Sequence, residues 1–140
     1  MSAKDIRNIV LLGHSGSGKT TLAESMLYLT DRLGRIADGN TVCDYDPEEI
    51  RRQISISLAV APVEYDSCKI NVLDVPGGFD FAGEVAEAVQ AADAAVIVCS
   101  AKAGMSVGAE KAWKYCEKNS LPRLLYISKT DEENSDYNAA

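Results

Sequence analysis

Short apolar runs alternate with amphipathic stretches along this chain. Ile9 to Leu12, Ala94 to Cys99 and Leu124 to Ile127 are continuous apolar runs, the pattern of parallel strands covered on both faces, and they are expected at the sheet centre. Ile54-Ser-Ile-Ser-Leu-Ala-Val60 alternates with period two instead, which predicts a strand with one protected face nearer an edge. The turn residues Asp66-Ser67 separate its continuation from Lys69 to Asp74, so these strands are expected to pair as an antiparallel hairpin. Three stretches carry helical periodicity. Thr20 to Leu29 gathers Leu22, Ala23, Met26 and Leu27 on one face; Phe81, Val85, Ala88 and Ala92 make a second face. The third turns Ala109, Ala112, Trp113 and Cys116 inward, with Glu110 and Lys114 paired on the opposite side. Strands alternating with helices predict an α/β domain with a mostly parallel sheet and its ligand at the carboxyl ends of the strands. Leu29 to Gln53, charged and containing Gly34, Gly39 and Pro47, reads as a long, partly irregular loop over that ligand side, and Glu132 to Ala140 as a polar tail.

Composition narrows the class. With 140 residues, 46% of them apolar and 25% charged, the chain has the size and balance of one globular domain. It contains no apolar run of membrane-spanning length, and MSAKDIRN is charged where a leader would turn apolar, so a cytoplasmic protein without membrane contact is expected. Cys43, Cys68, Cys99 and Cys116 are widely spaced, which indicates neither a zinc site nor a redox pair; Cys99 and Cys116 fall at core positions. A formal charge of −7 argues against a general nucleic-acid binding surface, and no sequence-specific nucleic-acid partner is expected, though an acidic domain can still dock on a protein component of a larger machine or use a local basic patch.

Candidate chemistry begins at Gly13 to Thr20. GHSGSGKT fits the phosphate-loop pattern G-x-x-x-x-G-K-[ST] between an apolar run and a helical stretch. Its glycines let backbone amides converge on phosphate oxygens at a helix N-terminus, Lys19 adds charge at the β/γ-phosphates, and the Thr20 hydroxyl is placed to ligate Mg²⁺. The nucleotide-binding set is therefore His14, Ser15, Gly16, Ser17, Gly18, Lys19, Thr20 and Thr21. This loop alone leaves kinases, ATPases and GTPases open. Asp74-Val-Pro-Gly77 adds a carboxylate for the Mg²⁺ shell and a glycine amide for the γ-phosphate. Ser128-Lys129-Thr-Asp131 resembles the N-K-x-D guanine motif, in which Asp131 accepts two bonds from the guanine edge and an adenine would leave it unpaired.

In that order and spacing the motifs resemble those of the translational GTPases, elongation factor G and its paralogues above all, from about Ile6 to Asp131. The resemblance takes in Asp38-Gly-Asn-Thr-Val-Cys-Asp-Tyr-Asp-Pro-Glu-Glu49 and Arg52-Gln-Ile-Ser-Ile56, which is similar to the R-G-I-T-I first switch, and Val75-Pro-Gly-Gly-Phe-Asp-Phe81, similar to the second. It implies a three-layer α/β/α P-loop NTPase fold with an antiparallel edge hairpin. It also implies GTP or GDP with Mg²⁺ held by Thr20, Ser55 and Asp74, hydrolysis assisted by Lys19 and Gly77, and a switch responding to the ribosome. On this resemblance residues 1–131 form the GTP-binding domain, lacking a last strand and helix at the C-terminus, and 132–140 a tail.

Departures from the pattern carry their own expectations. Gly78 stands where the family has a water-positioning histidine, and His14, the one histidine, lies inside the phosphate loop as a variable position. Ser128 replaces an asparagine and makes fewer bonds, so weaker or less selective nucleotide binding is expected. Ser100-Ala-Lys102 imitates the family's Ser-Ala-x loop but precedes Ser128 and is read as coincidental. Asp44, Asp46, Glu48 and Glu49 read as a solvated acidic loop rather than a metal cluster, and Arg51 or Arg52 as an internal arginine finger or simply a basic pair on a loop. Two alternatives stay open beside the GTPase: a non-hydrolysing nucleotide-binding module, and an ATP-dependent kinase or ATPase.

Overall fold

The computed structural model describes residues 3–30, 41–78, 82–133 and 135. Phe81 and its neighbours Phe79 and Asp80, the glycines Gly34 and Gly39, Asp38 to Asn40 and most of the tail lie outside them. The elements in chain order are β1 (Ile6–Leu12), α1 (Lys19–Leu29), α2 (Pro47–Arg52), β2 (Ala59–Tyr65), β3 (Cys68–Asp74), α3 (Ala82–Ala91), β4 (Ala94–Ser100), α4 (Val107–Lys118) and β5 (Arg123–Ser128).

These strands form one sheet in the order β2-β3-β1-β4-β5. Only β2 runs antiparallel, paired to β3 from Ala59 opposite Asp74 to Tyr65 opposite Cys68. Asp66 and Ser67 turn between them with φ of 47° and 64°, the twist a two-residue hairpin loop requires. Side-chain alternation splits the apolar runs between two cores. Val10, Leu12, Ile97 and Cys99 face one core with Ala88, Ala109, Ala112 and Cys116 of α3 and α4. Leu11, Val96 and Val98 face the other with Ala23 and Leu27 of α1. This is the mostly parallel α/β sandwich that strand and helix alternation predicts. Among the described residues no helix is long and apolar enough to cross a membrane.

Four expectations are corrected. Leu124, Leu125 and Tyr126 do not sit at the sheet centre: β5 is an edge, and they are 54%, 38% and 42% exposed. An apolar run records burial potential, not strand order. Ile54 to Leu58 is not strand, and the buried phase of β2 is Ala59, Ala61 and Val63, opposite to the predicted one. The reason is electrostatic: carboxylates capture the amides of Ile56, Ser57 and Leu58, so those groups are satisfied without a ladder. Trp113 is not core; it is 39% exposed and its ring carries the Arg123 guanidinium at 4.2 Å. Finally, the long irregular stretch contains α2. Its start is a capping box, in which the Asp46 side chain accepts from Glu48 N–H and Glu49 returns a bond to Asp46 N–H.

Candidate functional site

At the carboxyl end of β1 the chain turns through the glycine loop into α1. Gly13 takes a φ of 142°, and a Cβ there would stand 2.4 Å from the Val98 carbonyl oxygen, so the loop must pass this close to β4 without a side chain. Gly18 caps α1 in a left-handed conformation with no side-chain acceptor for the helix's first amides. Lys19 folds back beneath the loop, 6% exposed, and its ammonium donates to the carbonyls of His14 at 3.0 Å and Gly13 at 3.3 Å. Burial lowers its pKa, while the charges of Asp74 and then Asp44 pull the other way.

β3, beside β1 in parallel register, delivers Asp74 next to the loop. Asp74 is 1% exposed and neither carboxylate oxygen has a partner in hydrogen-bond geometry. Burial pushes its pKa up to about 6, against the nearby Thr20 hydroxyl and the Lys19 charge. Gly77 follows directly above Lys19: a Cβ would lie 2.5 Å from both the Lys19 ammonium and the Ser15 amide nitrogen. Thr20 Oγ1 and Ser55 Oγ share a hydrogen bond of 3.1 Å, and Ser55 donates to Asp44 Oδ1 at 2.6 Å. Two hydroxyls and buried carboxylate oxygens are the hard donors that Mg²⁺ takes.

A cleft of about 350 Å³ opens over these groups. Ser15, Gly16, Gly18, Lys19, Thr20, Thr21, Ser55, Gly77 and Lys129 all line it. His14 and Ser17 instead border a neighbouring cavity of about 320 Å³ behind the loop, with Lys102 and Ser106. The backbone of His14 packs against α4 so tightly that a Cβ on Gly108 would come within 2.8 Å of it. Ser128 lies under the loop, where its hydroxyl reaches the Ser17 carbonyl at 2.6 Å and the Cys99 carbonyl at 3.1 Å. A hydroxyl has one proton for these two acceptors, which is the physical content of the expected loss relative to a carboxamide. Lys129 follows at a φ of 58°, and Asp131 is exposed on the next turn.

Several residues of the site have roles that the sequence reading does not assign. Asp44 and Glu49 were expected in a solvated acidic loop. Asp44 in fact bonds Ser55, and Glu49 is 1% exposed, its carboxylate collecting the amides of Asp46, Ile56 and Ser57. Burial pushes the Glu49 pKa up, but the combined backbone bonds outweigh it and hold the acid below its usual value. The Asp46-x-x-Glu49 spacing ahead of α2 is a capping-box signature that sequence alone offers. Gln53 ends α2 in a left-handed conformation, φ 53°, and lines the cleft with Ile50 and Ile54. Glu24 of α1 is also 1% exposed; its Oε1 accepts the amides of Val42 at 2.6 Å and Cys43 at 3.0 Å. Arg51 and Arg52 both pair with Glu48 on the exposed face of α2 rather than reaching the cleft. Among the described residues no cluster of three or more His, Cys, Asp or Glu could hold a metal ion.

Comparison with known proteins gives the site its context. Residues 4–140 match the elongation factor Tu GTP-binding domain family. The elongation factor G-like protein of Mycobacterium tuberculosis is 42% identical over 138 residues, 96% of this chain and 19% of its own length. The mitochondrial ribosome-releasing factor 2 of Anopheles gambiae is 39% identical over 99% of this chain and 19% of its own. A Thermus thermophilus crystal structure superposes with a TM-score of 0.91 at 42% identity, over 96% of this chain and 21% of that one. Elongation factor SelB of Methanococcus maripaludis, solved with the GTP analogue GppNHp, shares the fold at a TM-score of 0.72 and 21% identity, over 95% of this chain and 24% of that one. The chain spans about a fifth of the length of the curated relatives it matches.

Proposed function

Since this chain belongs to the elongation factor Tu GTP-binding domain family, we propose that it binds GTP and GDP with Mg²⁺ and serves the GTP-hydrolysing switch of a ribosome-linked factor of the elongation factor G type. The observation that carries the reading is the convergence of Lys19, Gly77, Thr20 and Ser55 on one cleft above a buried, unpartnered Asp74. Loop amides and the Lys19 ammonium bind the phosphates, and Gly77 leaves its backbone free to approach the γ-phosphate. Thr20, Ser55 and Asp74 would hold Mg²⁺, which supplies charge neutralisation on the β- and γ-phosphate oxygens when bound. Ser128 steadies the loop from below, and Lys129 with Asp131 faces the guanine. In this reading the ribosome is its partner and the cytoplasm its place of work, although one of the relatives above is a mitochondrial factor.

Removing the Lys19 charge tests the core of this reading. Lys19→Ala is expected to weaken Mg²⁺-GTP binding by at least about a hundredfold in a fluorescent-nucleotide titration, since a unit charge near phosphate contributes several kcal/mol. Binding of GTP as tight as the parent's overturns it. ATP competing as well as GTP overturns the guanine assignment.

A second reading, nucleotide binding without turnover, is favoured by Gly78. No imidazole stands there, and His14 is committed to the loop against Gly108. Single-turnover hydrolysis with and without ribosomes separates the two, and a ribosome-stimulated rate removes the second.

A further inference from the structure

Phosphate and cation binding leave Glu24 unexplained. It is 1% exposed on α1, with its carboxylate beside the Cys43 thiol and near Asp74, a buried position where an apolar side chain would cost nothing to desolvate. One carboxylate oxygen, Oε2, is buried there with no partner. The other accepts the two amides of Val42 and Cys43. Those amides belong to the segment that leads into Asp44, whose carboxylate takes the Ser55 hydroxyl, and Ser55 in turn meets Thr20 on the first turn of α1. The contacts therefore close a ring. It leaves α1 at Glu24, crosses Cys43, Asp44 and Ser55, and returns to α1 at Thr20.

We propose that Glu24 is a positioning residue that latches the Val42-Cys43 segment to α1, the helix that carries Lys19 and Thr20, and thereby sets the register in which Ser55 meets Thr20. The role rests on the GTP-Mg²⁺ reading of the cleft. α1 follows directly from the phosphate loop, so a displacement of the loop is passed to the Asp44-Ser55 pair through this latch. Glu49 performs a different task, because its bonds run to amides next to its own helix and fix the local shape of the segment rather than its attachment.

Three variants and two readouts decide it. Glu24→Ala removes the acceptor, Glu24→Gln keeps a shape-matched one, and Val42→Pro deletes one donor on a residue 59% exposed, without touching the core. The first readout is affinity for a non-hydrolysable GTP analogue and for GDP, in Mg²⁺ and in EDTA. The second is labelling of Cys43, 5% exposed, by a thiol reagent mapped by mass spectrometry. Glu24→Ala and Val42→Pro are expected to weaken the GTP analogue about tenfold in Mg²⁺, the worth of a charge-assisted hydrogen bond, with GDP within about twofold. EDTA should erase the difference, Glu24→Gln should recover most of the loss, and Cys43 should label faster in Val42→Pro, which keeps the Glu24 carboxylate that raises the thiol pKa. If Glu24→Ala does not fold, Val42→Pro decides. Equal losses for both nucleotides, or parent-like selectivity and parent-like Cys43 labelling in Val42→Pro, overturn the latch. A parent chain that binds no GTP sinks the proposed function instead, and Cys43 labelling of Val42→Pro against the parent then decides whether the Glu24 bonds hold the segment.

Discussion

The phosphate loop and the segment from Thr41 to Ser57 face each other across one cleft and are held by different physics. The loop owes most of its shape to its own backbone, with one tie from β5 where the Ser128 hydroxyl meets the Ser17 carbonyl. Gly13, Gly16 and Gly18 adopt positive φ values of 142°, 75° and 96°, and Lys19 bonds carbonyls five and six residues before it. The opposite wall is held from elsewhere. Glu24 anchors it from α1, Glu49 folds it from within, and Glu84 of α3 takes the Leu58 amide at 2.9 Å. A wall made of local backbone geometry is fixed before a ligand arrives, whereas one tied by a few carboxylates can be untied by changing one of them.

That contrast can be broken from either side. The largest effect is expected at Gly13→Ala, because the added Cβ meets a backbone carbonyl at 2.4 Å that has no room to retreat. A loss of about 3 kcal/mol in urea unfolding is the expected outcome, combining a strained backbone with a steric clash. Stability equal to the parent would mean the loop is not set by its glycines. Glu49→Gln comes next. It keeps the shape but weakens bonds to three amides, and a loss of about 1–3 kcal/mol at neutral pH follows from the worth of a charged acceptor.

The same acid gives the opposite wall a pH dependence. Its folded pKa lies below the usual carboxylate value, so its contribution is fully present above the unfolded pKa of about 4.3 and is lost as pH falls through the folded one. Melting temperature should therefore decline on acidification less in Glu49→Gln than in the parent. Parallel profiles would remove Glu49 from that role. The smallest effect is at Gln53, a non-glycine residue at φ 53°. Gln53→Gly should raise stability by about 1 kcal/mol or less by relieving the left-handed strain, and a lower melting temperature would show that the side chain is itself a tie.

Legibility in the sequence follows the same division. GHSGSGKT, the Asp66-Ser67 turn and the helical faces of α1, α3 and α4 were readable because each depends on neighbours within a few positions. Trp113 was misread because a helical face says which residues align, and Arg123, which covers its ring, arrives on another element. The strand expected over Ile54 to Val60 failed for a similar cause. Its alternation is real, but the amides of Ile56, Ser57 and Leu58 go to Glu49 and Glu84. Glu24 carried no signal, because the amides it holds are 18 and 19 residues away.

By itself the sequence determined the phosphate cradle, the parallel α/β alternation and the family of the domain, since these rest on short-range backbone geometry and on the period of apolar positions. Tertiary structure alone decided that Ala59, Ala61 and Val63 form the buried face of β2, that Asp74 is buried with no partner in hydrogen-bond geometry, and that Glu24, Asp44 and Ser55 close a ring on α1. The reason is that burial and long-range hydrogen bonds depend on which elements meet, and no local pattern of side chains records that.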